Sequence, residues 1–263
     1  MKLKMYQIDA FAEKLFSGNP AAVVPLKEWL PEATMQQIAM ENNLAETAFY
    51  VPKNDGDFHL RWFTPENEIN LCGHATIASA YVLYNHENFK GDVITFESKS
   101  GLLTVKKSGD LYTLNFPVYT LHPAEATNDV IDAVGKVPAE VFKVNDDLLL
   151  VYFDENSLRM IKPDFGKMKR CAPRGIIVTA PSDDSDFVYR FFAPKMGIDE
   201  DPATGSAQCS LIPYWSQRLG KNKLESIQLS KRIGKLSSEL KGDRVEISGK
   251  AVLYLVGEIE TPE

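Results

Sequence analysis

Polar and apolar residues alternate from Lys2 to Ala10, the two-residue period of a strand with one buried face. The turn-rich Ser17-Gly18-Asn19-Pro20 and the apolar stretch Ala21 to Val24 follow. Pro31 opens a helical segment running to about Asn42, because its missing N–H costs nothing at a first helical position. Met35, Ile38 and Ala39 fall on one face of that helix. Ala45 to Val51 and Phe58 to Phe63 read as strands. From His74 to Tyr84 the pattern changes. Ala75, Ile77, Ala78, Ala80, Val82 and Leu83 make a helix that is apolar nearly all round, and such a helix belongs inside a core. Its small residues let surrounding strands approach closely. Val93 to Glu97, Leu102 to Lys106 and Leu111 to Phe116 then read as short strands separated by turns.

Pro117 to Pro123 reads as a linker. Beyond it the pattern predicts a helix over Ala126 to Val134, a strand over Leu148 to Phe153 and a helix near Ser157 to Ile161. Strands follow over Gly175 to Ala180 and Asp186 to Phe192. A second small-residue helix is expected from near Ala203 toward Arg218, kinked at Pro213 and stopped at Gly220. Ile227 to Ile259 alternates like three or four antiparallel strands.

The two halves share a segment. Arg61-Trp62-Phe63-Thr64-Pro65 leads through a polar stretch to Cys72-Gly73-His74-Ala75-Thr76. Arg190-Phe191-Phe192-Ala193-Pro194 leads to Asp201-Pro202-Ala203-Thr204-Gly205-Ser206. A repeat at about half the chain length predicts two similar lobes. The expected fold is α+β: two pseudo-symmetric lobes, residues 1–117 and 118–263, each a mostly antiparallel curved sheet or barrel wrapped around a central helix. The last strand, Ala251 to Ile259, has the option of crossing back to the first lobe. Strands and helices do not alternate regularly enough for a doubly wound parallel sheet.

Composition narrows the function class. The 263 residues, with 44% hydrophobic and 25% charged content, are those of an ordinary globular protein. A net charge of −7 argues against nucleic acid as the partner, since phosphate binding needs clustered Lys and Arg. No run of about 18 apolar residues predicts a membrane span, and the N-terminal segment lacks a signal-peptide pattern. Cys72, Cys171 and Cys209 form neither a metal-type pair nor a disulfide framework, which points to a reducing, cytoplasmic setting.

Both repeat turns place small residues at the start of a buried helix, where unpaired N–H groups attract carboxylates. Taken alone, Asp201 or Thr204 reads as a helix cap. Two such turns facing each other would frame one anionic substrate. His74 adjoins Gly73 at a helix start, which raises it above His59, His86 and His122, all expected at the surface. Cys72 reads as a small buried hydrophobe, since residues two apart do not face one another on a helix. Ser206 lacks a nucleophile-elbow pattern. No spacing indicates a metal site or a dinucleotide fingerprint. Glu46 has nothing in its spacing to single it out over Glu41, and its plainest reading is an exposed charge at the start of a strand.

Five segments, taken together, carry a resemblance. They are Asp9-Ala10-Phe11 through Ser17-Gly18-Asn19-Pro20-Ala21-Ala22-Val23, Glu46-Thr47-Ala48-Phe49, Arg61-Trp62-Phe63-Thr64-Pro65, Cys72-Gly73-His74-Ala75-Thr76 and Asp201-Pro202-Ala203-Thr204-Gly205-Ser206-Ala207. On these the chain resembles the PhzF family of phenazine-biosynthesis-like isomerases, within the diaminopimelate epimerase-like fold. The resemblance implies an active site between two lobes, isomerase chemistry with neither metal nor organic cofactor, a small carboxylate-bearing substrate and a homodimer. It implies Glu46 as the catalytic acid/base and places His74, Asp201 and Ser206 where they assist proton movement and hold substrate. Asn19, Gly73 and Gly205 match substrate-contacting positions. The epimerase branch of the fold uses two cysteines from opposite faces, and here the matching turns present Gly73 and Asp201 instead. Two rival functions remain: an amino-acid racemase or epimerase, and a non-catalytic small-molecule or protein-binding module on the same scaffold.

Overall fold

The computed structural model describes residues 1–53, 56–171 and 173–261. The chain divides into two compact units, Met1–Asn115 with Ser248–Glu263, and Phe116–Ile247.

In the first unit, β1 (Lys2–Ala10) pairs antiparallel with β2 (Asn19–Pro25). Gly18 makes that turn possible. Its φ is +64°, and a Cβ there would lie 2.2 Å from the Ala10 carbonyl oxygen. The chain crosses over through α1 (Glu32–Asn42), so β3 (Glu46–Pro52) joins β2 in parallel. Pro31 sits at the cap of α1 rather than inside it. β4 (Phe58–Phe63) returns antiparallel to β3, and β5 (Glu68–Ile69) folds back on the end of β4. A second crossover, α2 (Gly73–Asn85), sets β6 (Val93–Ser98) parallel to β4. β7 (Gly101–Ser108) and β8 (Leu111–Pro117) follow as antiparallel hairpins. The apolar helix lies where its composition requires. Ten residues of α2 are buried, and it packs on β1, β2, β3 and β7. Full burial of Ile77, Val82 and Leu83 contributes about 2 kcal/mol each. The outer face of the sheet carries α1 through Met35, Ile38 and Ala39, the face its spacing predicts.

The second unit repeats this order. After β9 (His122–Pro123) and α3 (Asn128–Val134), β10 (Glu140–Val144) pairs antiparallel with both β9 and β11 (Asp147–Val151). The crossover α4 (Glu155–Met160) and α5 (Phe165–Cys171) sets β12 (Gly175–Pro181) parallel to β11. β13 (Phe187–Ala193) and β14 (Ile198–Glu200) continue antiparallel. α6 (Gln208–Leu219) returns the chain so that β15 (Lys223–Gln228) lies parallel to β13 and β16 (Gly234–Lys241) antiparallel to β15. Phe187 of β13 stacks on Trp215 of α6 with ring centroids 5.6 Å apart, and the Trp215 indole donates to Thr179 Oγ1 of β12 at 3.0 Å.

β17 (Arg244–Gly249) leaves the second unit at Ser248, and β18 (Ala251–Glu260) pairs antiparallel with β1 from Ala10 back to Lys2. The return of the last strand to the first lobe, left open by the sequence, occurs here. The C-terminal strand belongs to the first unit, because its hydrogen-bonding partner is β1. α6 begins at Gln208 and not near Ala203. Residues 205–207 form a turn ahead of it, and Pro213 lies inside it. Among the described residues no helix is long and apolar enough to cross a membrane.

Candidate active site

Glu46 opens β3 directly after the left-handed cap of α1 at Asn43, whose N–H bonds the Ala39 carbonyl. The parallel register sets it beside Ala21 of β2, and Asn19 precedes Ala21 by two residues on the same strand face. His74 is the second residue of α2, held in place by the turn before it. Cys72 is extended (φ −146°, ψ 110°), and Thr76 ties its carbonyl back through a backbone N–H bond of 3.2 Å and a hydroxyl bond of 2.5 Å.

These elements bring three of the expected residues together. His74 Nε2 lies 2.9 Å from Glu46 Oε2, with the two side chains 7% and 8% exposed. On the other side of the ring, Asn19 Nδ2 lies 3.1 Å from His74 Nδ1. The two ring nitrogens thus face an amide on one side and a carboxylate on the other. Glu46 Oε2 has no directed hydrogen bond among the described residues, so the contact is an ion pair by proximity. The plain reading of Glu46 as an exposed charge is overturned: Glu46 is buried, whereas Glu41 is exposed on α1.

Cys72 also belongs to this group, which linear spacing misjudged. Because Cys72 is extended and not helical, its Sγ reaches 3.5 Å from His74 Nδ1. Burial, reinforced by the Glu46 charge, pushes the thiol up to about 11, so it is protonated at neutral pH. For His74, burial disfavours the charged ring, but Cys72 and Glu46 outweigh it and hold the imidazole well above its ordinary value. With the thiol neutral, Glu46 supplies the charge that does this. The candidate ligand atoms of Glu46, Cys72 and His74 all lie within 4.8 Å of one another, a grouping able to hold a metal ion. Loading it would require Cys72 to lose its proton. The sequence spacing gave no sign of this grouping, because Glu46 arrives from a separate strand.

The second turn is a network of its own. Asp201 accepts a hydrogen bond from the Thr204 hydroxyl, and its N–H bonds the Phe191 carbonyl at 3.0 Å. Gln228 of β15 accepts from Thr204 N–H at 2.6 Å and donates to the Asp201 carbonyl. The sequence reading missed Gln228, whose only signal was a polar residue at a buried strand position. Gly205 is buried and Ser206 half-buried, and their carbonyls accept from the N–H groups of Gln208 and Cys209. Of the remaining histidines, His122 is exposed, while His59 and His86 are half-buried.

The family model described as "Phenazine biosynthesis-like protein" matches residues 8–257. The chain belongs to the PhzC-PhzF family. An uncharacterized isomerase of Pseudomonas aeruginosa is 48% identical over 257 residues, covering 98% of each chain. A PhzF-family protein of Enterococcus faecalis superposes with a TM-score of 0.95 at 46% identity, over 99% of this chain and 100% of its own. At the level of fold alone, a hydroxyproline epimerase of Agrobacterium vitis aligns with a TM-score of 0.63 at 10% identity, covering 98% of this chain and 92% of its own. The PhzC-PhzF chain is thus a mostly antiparallel α+β protein of the diaminopimelate epimerase-like kind.

Proposed function

We propose that the protein is an isomerase that shifts a proton, and with it a double bond or a stereocentre, on a small carboxylate-bearing molecule. The observation that carries this reading is the Glu46 carboxylate, 8% exposed and 2.9 Å from His74 Nε2 at the start of α2. Family membership and relatives named as isomerases support it. A base that abstracts a proton from carbon must hand it back, and a carboxylate in a water-poor site is suited to both steps. In the proposal Glu46 takes the proton from one carbon and redelivers it to the same or another. His74 orients Glu46 and offsets its charge, and Asn19 fixes the ring. Gly73 leaves the first amides of α2 accessible to a substrate carboxylate, the arrangement that steadies developing negative charge. Asp201 relays the proton, while Ser206 and the Gly205 amide hold the substrate. These last roles rest on the resemblance of Asp201 to Ala207 to the family segment. The proposal further takes the protein to be a cytoplasmic homodimer.

The deciding experiment incubates the protein in deuterium oxide with a panel of amino and cyclic carboxylic acids and reads deuterium uptake by mass spectrometry. Label at a carbon, lost in Glu46→Gln, supports the reading. Uptake confined to an α-carbon with inversion identifies a racemase. Label retained in Glu46→Gln sinks the assignment of the base. Binding without any exchange points to a non-catalytic module.

A further inference from the structure

The first unit contains a cavity of about 880 Å³ that includes none of Glu46, Cys72, His74 or Asn19. That volume is in the range of small-molecule sites, about 300–1,000 Å³. It lies at the opposite end of the same two elements. Glu46, Ala48 and Tyr50 share one face of β3, and four residues of strand separate Glu46 from Tyr50 by about 13 Å. Leu83 of α2 also lines the cavity, and nine residues of helix place it about 13 Å from His74.

Its walls are largely apolar and aromatic. Tyr50 meets Phe58 edge to face at 5.7 Å, Phe58 meets Phe89 at 6.0 Å, and Trp29 and Leu26 form part of the lining. Within this surface one polar group is unanswered. Tyr50 is 3% exposed, and its hydroxyl oxygen has no hydrogen-bond partner among the described residues. Burial, with the charge of Glu87 and the Tyr6 hydroxyl nearby, raises its pKa, so it stays protonated and able to donate. A buried hydroxyl without a partner is costly, and a bound acceptor would relieve that cost. The charged lining consists of Lys2, Lys4 and Lys27 against Glu28 and Glu87. Lys2 lies 3.7 Å from both Glu258 and Glu260, and Glu87 accepts from the Tyr6 hydroxyl at 3.3 Å. Lys27 is exposed and has no ion-pair partner among the described residues.

We propose that this cavity is a second ligand site, for an amphipathic anion with a flat aromatic or alicyclic body and a single acidic head. The body lies against Trp29, Phe58 and Phe89. The head accepts from the Tyr50 hydroxyl and faces Lys27.

The test titrates the full chain with 8-anilino-1-naphthalenesulfonate, an aromatic anion of this shape, and with the neutral N-phenyl-1-naphthylamine, reading fluorescence. Circular dichroism confirms that each variant is folded. The expected result is one saturable site for the anion, at least fivefold weaker for the neutral probe. Lys27→Glu should weaken anion binding about tenfold and Tyr50→Phe about threefold, with the neutral probe little changed. Tyr50→Phe keeps the ring, and Lys27 is a surface residue, so neither change threatens the fold. Absence of saturable binding to the folded protein overturns the proposal. Equal affinity for the two probes, or anion binding unchanged in both variants, overturns the assignment of an anionic head and of Tyr50 as its donor.

Discussion

The corner that joins β4 to β5 and the corner that joins β13 to β14 are built alike, yet the turns that follow them differ. In the first, Arg61 grips Glu68 with two bonds of 2.7 Å, lies over the Phe63 ring at 5.2 Å and reaches Glu32 of α1 at 2.6 Å. In the second, Arg190 grips Glu200 at 2.8 and 3.0 Å, lies over Phe192 at 4.8 Å and donates to the Leu158 and Ile161 carbonyls at the end of α4. Each arginine therefore fastens a hairpin and an outer helix at once, a task for a planar fork with five donors that Lys could not perform. Beyond the corners the likeness ends. The first turn runs straight into α2 and delivers an ionisable ring beside a carboxylate. The second spends residues 201–207 on a loop whose Asp201 is tied to Thr204 before α6 begins. The repeated residues hold the scaffold, and the proposed chemistry falls on residues outside the repeat.

On that division, the largest effect on turnover comes from the carboxylate that the first turn meets. On a carboxylate identified by deuterium exchange, Glu46→Gln should lower kcat by about 10²–10⁴-fold, the range of a lost general acid/base. The two side chains are nearly the same size, so the variant should fold, but breaking a buried pair should lower its melting temperature at neutral pH. A loss under tenfold would mean that Glu46 is not the base. The arginines should show the reverse pattern. Arg190→Ala should cost about 3 kcal/mol and Arg61→Ala about 2 kcal/mol in urea unfolding, the range for breaking a largely buried, hydrogen-bonded pair. The loss is greater for Arg190 because two helix-end carbonyls lose their donor with it. The hydrogen bonds from Arg61 hold the Glu68 carboxyl below its ordinary range. The first corner is therefore at full strength above about pH 4.5 and weakens as pH falls through the depressed value.

Gln228 tests whether the second turn is shaped from outside itself. Gln228→Leu leaves the buried Thr204 N–H without its acceptor and should cost about 1–2 kcal/mol. Activity should fall as well, because Asp201 loses the bond to its carbonyl. Unchanged stability would show that the turn holds itself.

The repeat of Arg61 and Arg190 was legible in the sequence because it is local: an arginine, two aromatics and a proline at the end of a strand. So was α2, whose apolar character all round admits no surface position. The strands on either side of each turn were legible through their alternation. What stayed hidden depends on residues distant in sequence. β10 is short and half-buried, with no clean alternation, and α5 carries a basic last turn that reads as loop. Glu46 looked like any charge at the start of a strand until β2 and α2 enclosed it. Cys72 precedes the helix in an extended conformation, so the helical rule that residues two apart do not meet does not apply to it. The strand Ala251 to Ile259 was itself legible, with its return to the first lobe left open, but its pairing with β1 joins residues distant in sequence that no local pattern decides.

The most gradual predicted effect is the proton on His74, and it separates the two turns most cleanly, because the segment Asp201 to Ala207 has no titrating ring. The folded protein holds the His74 pKa above the unfolded value of about 6.5. Below that value both states carry the proton, and the stabilisation from the charged ring beside Glu46 is complete. As pH rises toward the folded value, the native state keeps a proton that the unfolded chain has released. Stability then falls with pH, with a slope for one proton of at most about 1.4 kcal/mol per pH unit. Glu46→Gln removes the opposing charge and leaves burial unopposed. The His74 ring signal, followed by NMR, should then titrate below its wild-type position, and the alkaline decline in stability should flatten. If instead the ring titrates unchanged in Glu46→Gln, the charge that holds it is not Glu46, and the pairing on which the first turn's chemistry rests is not the electrostatic unit described.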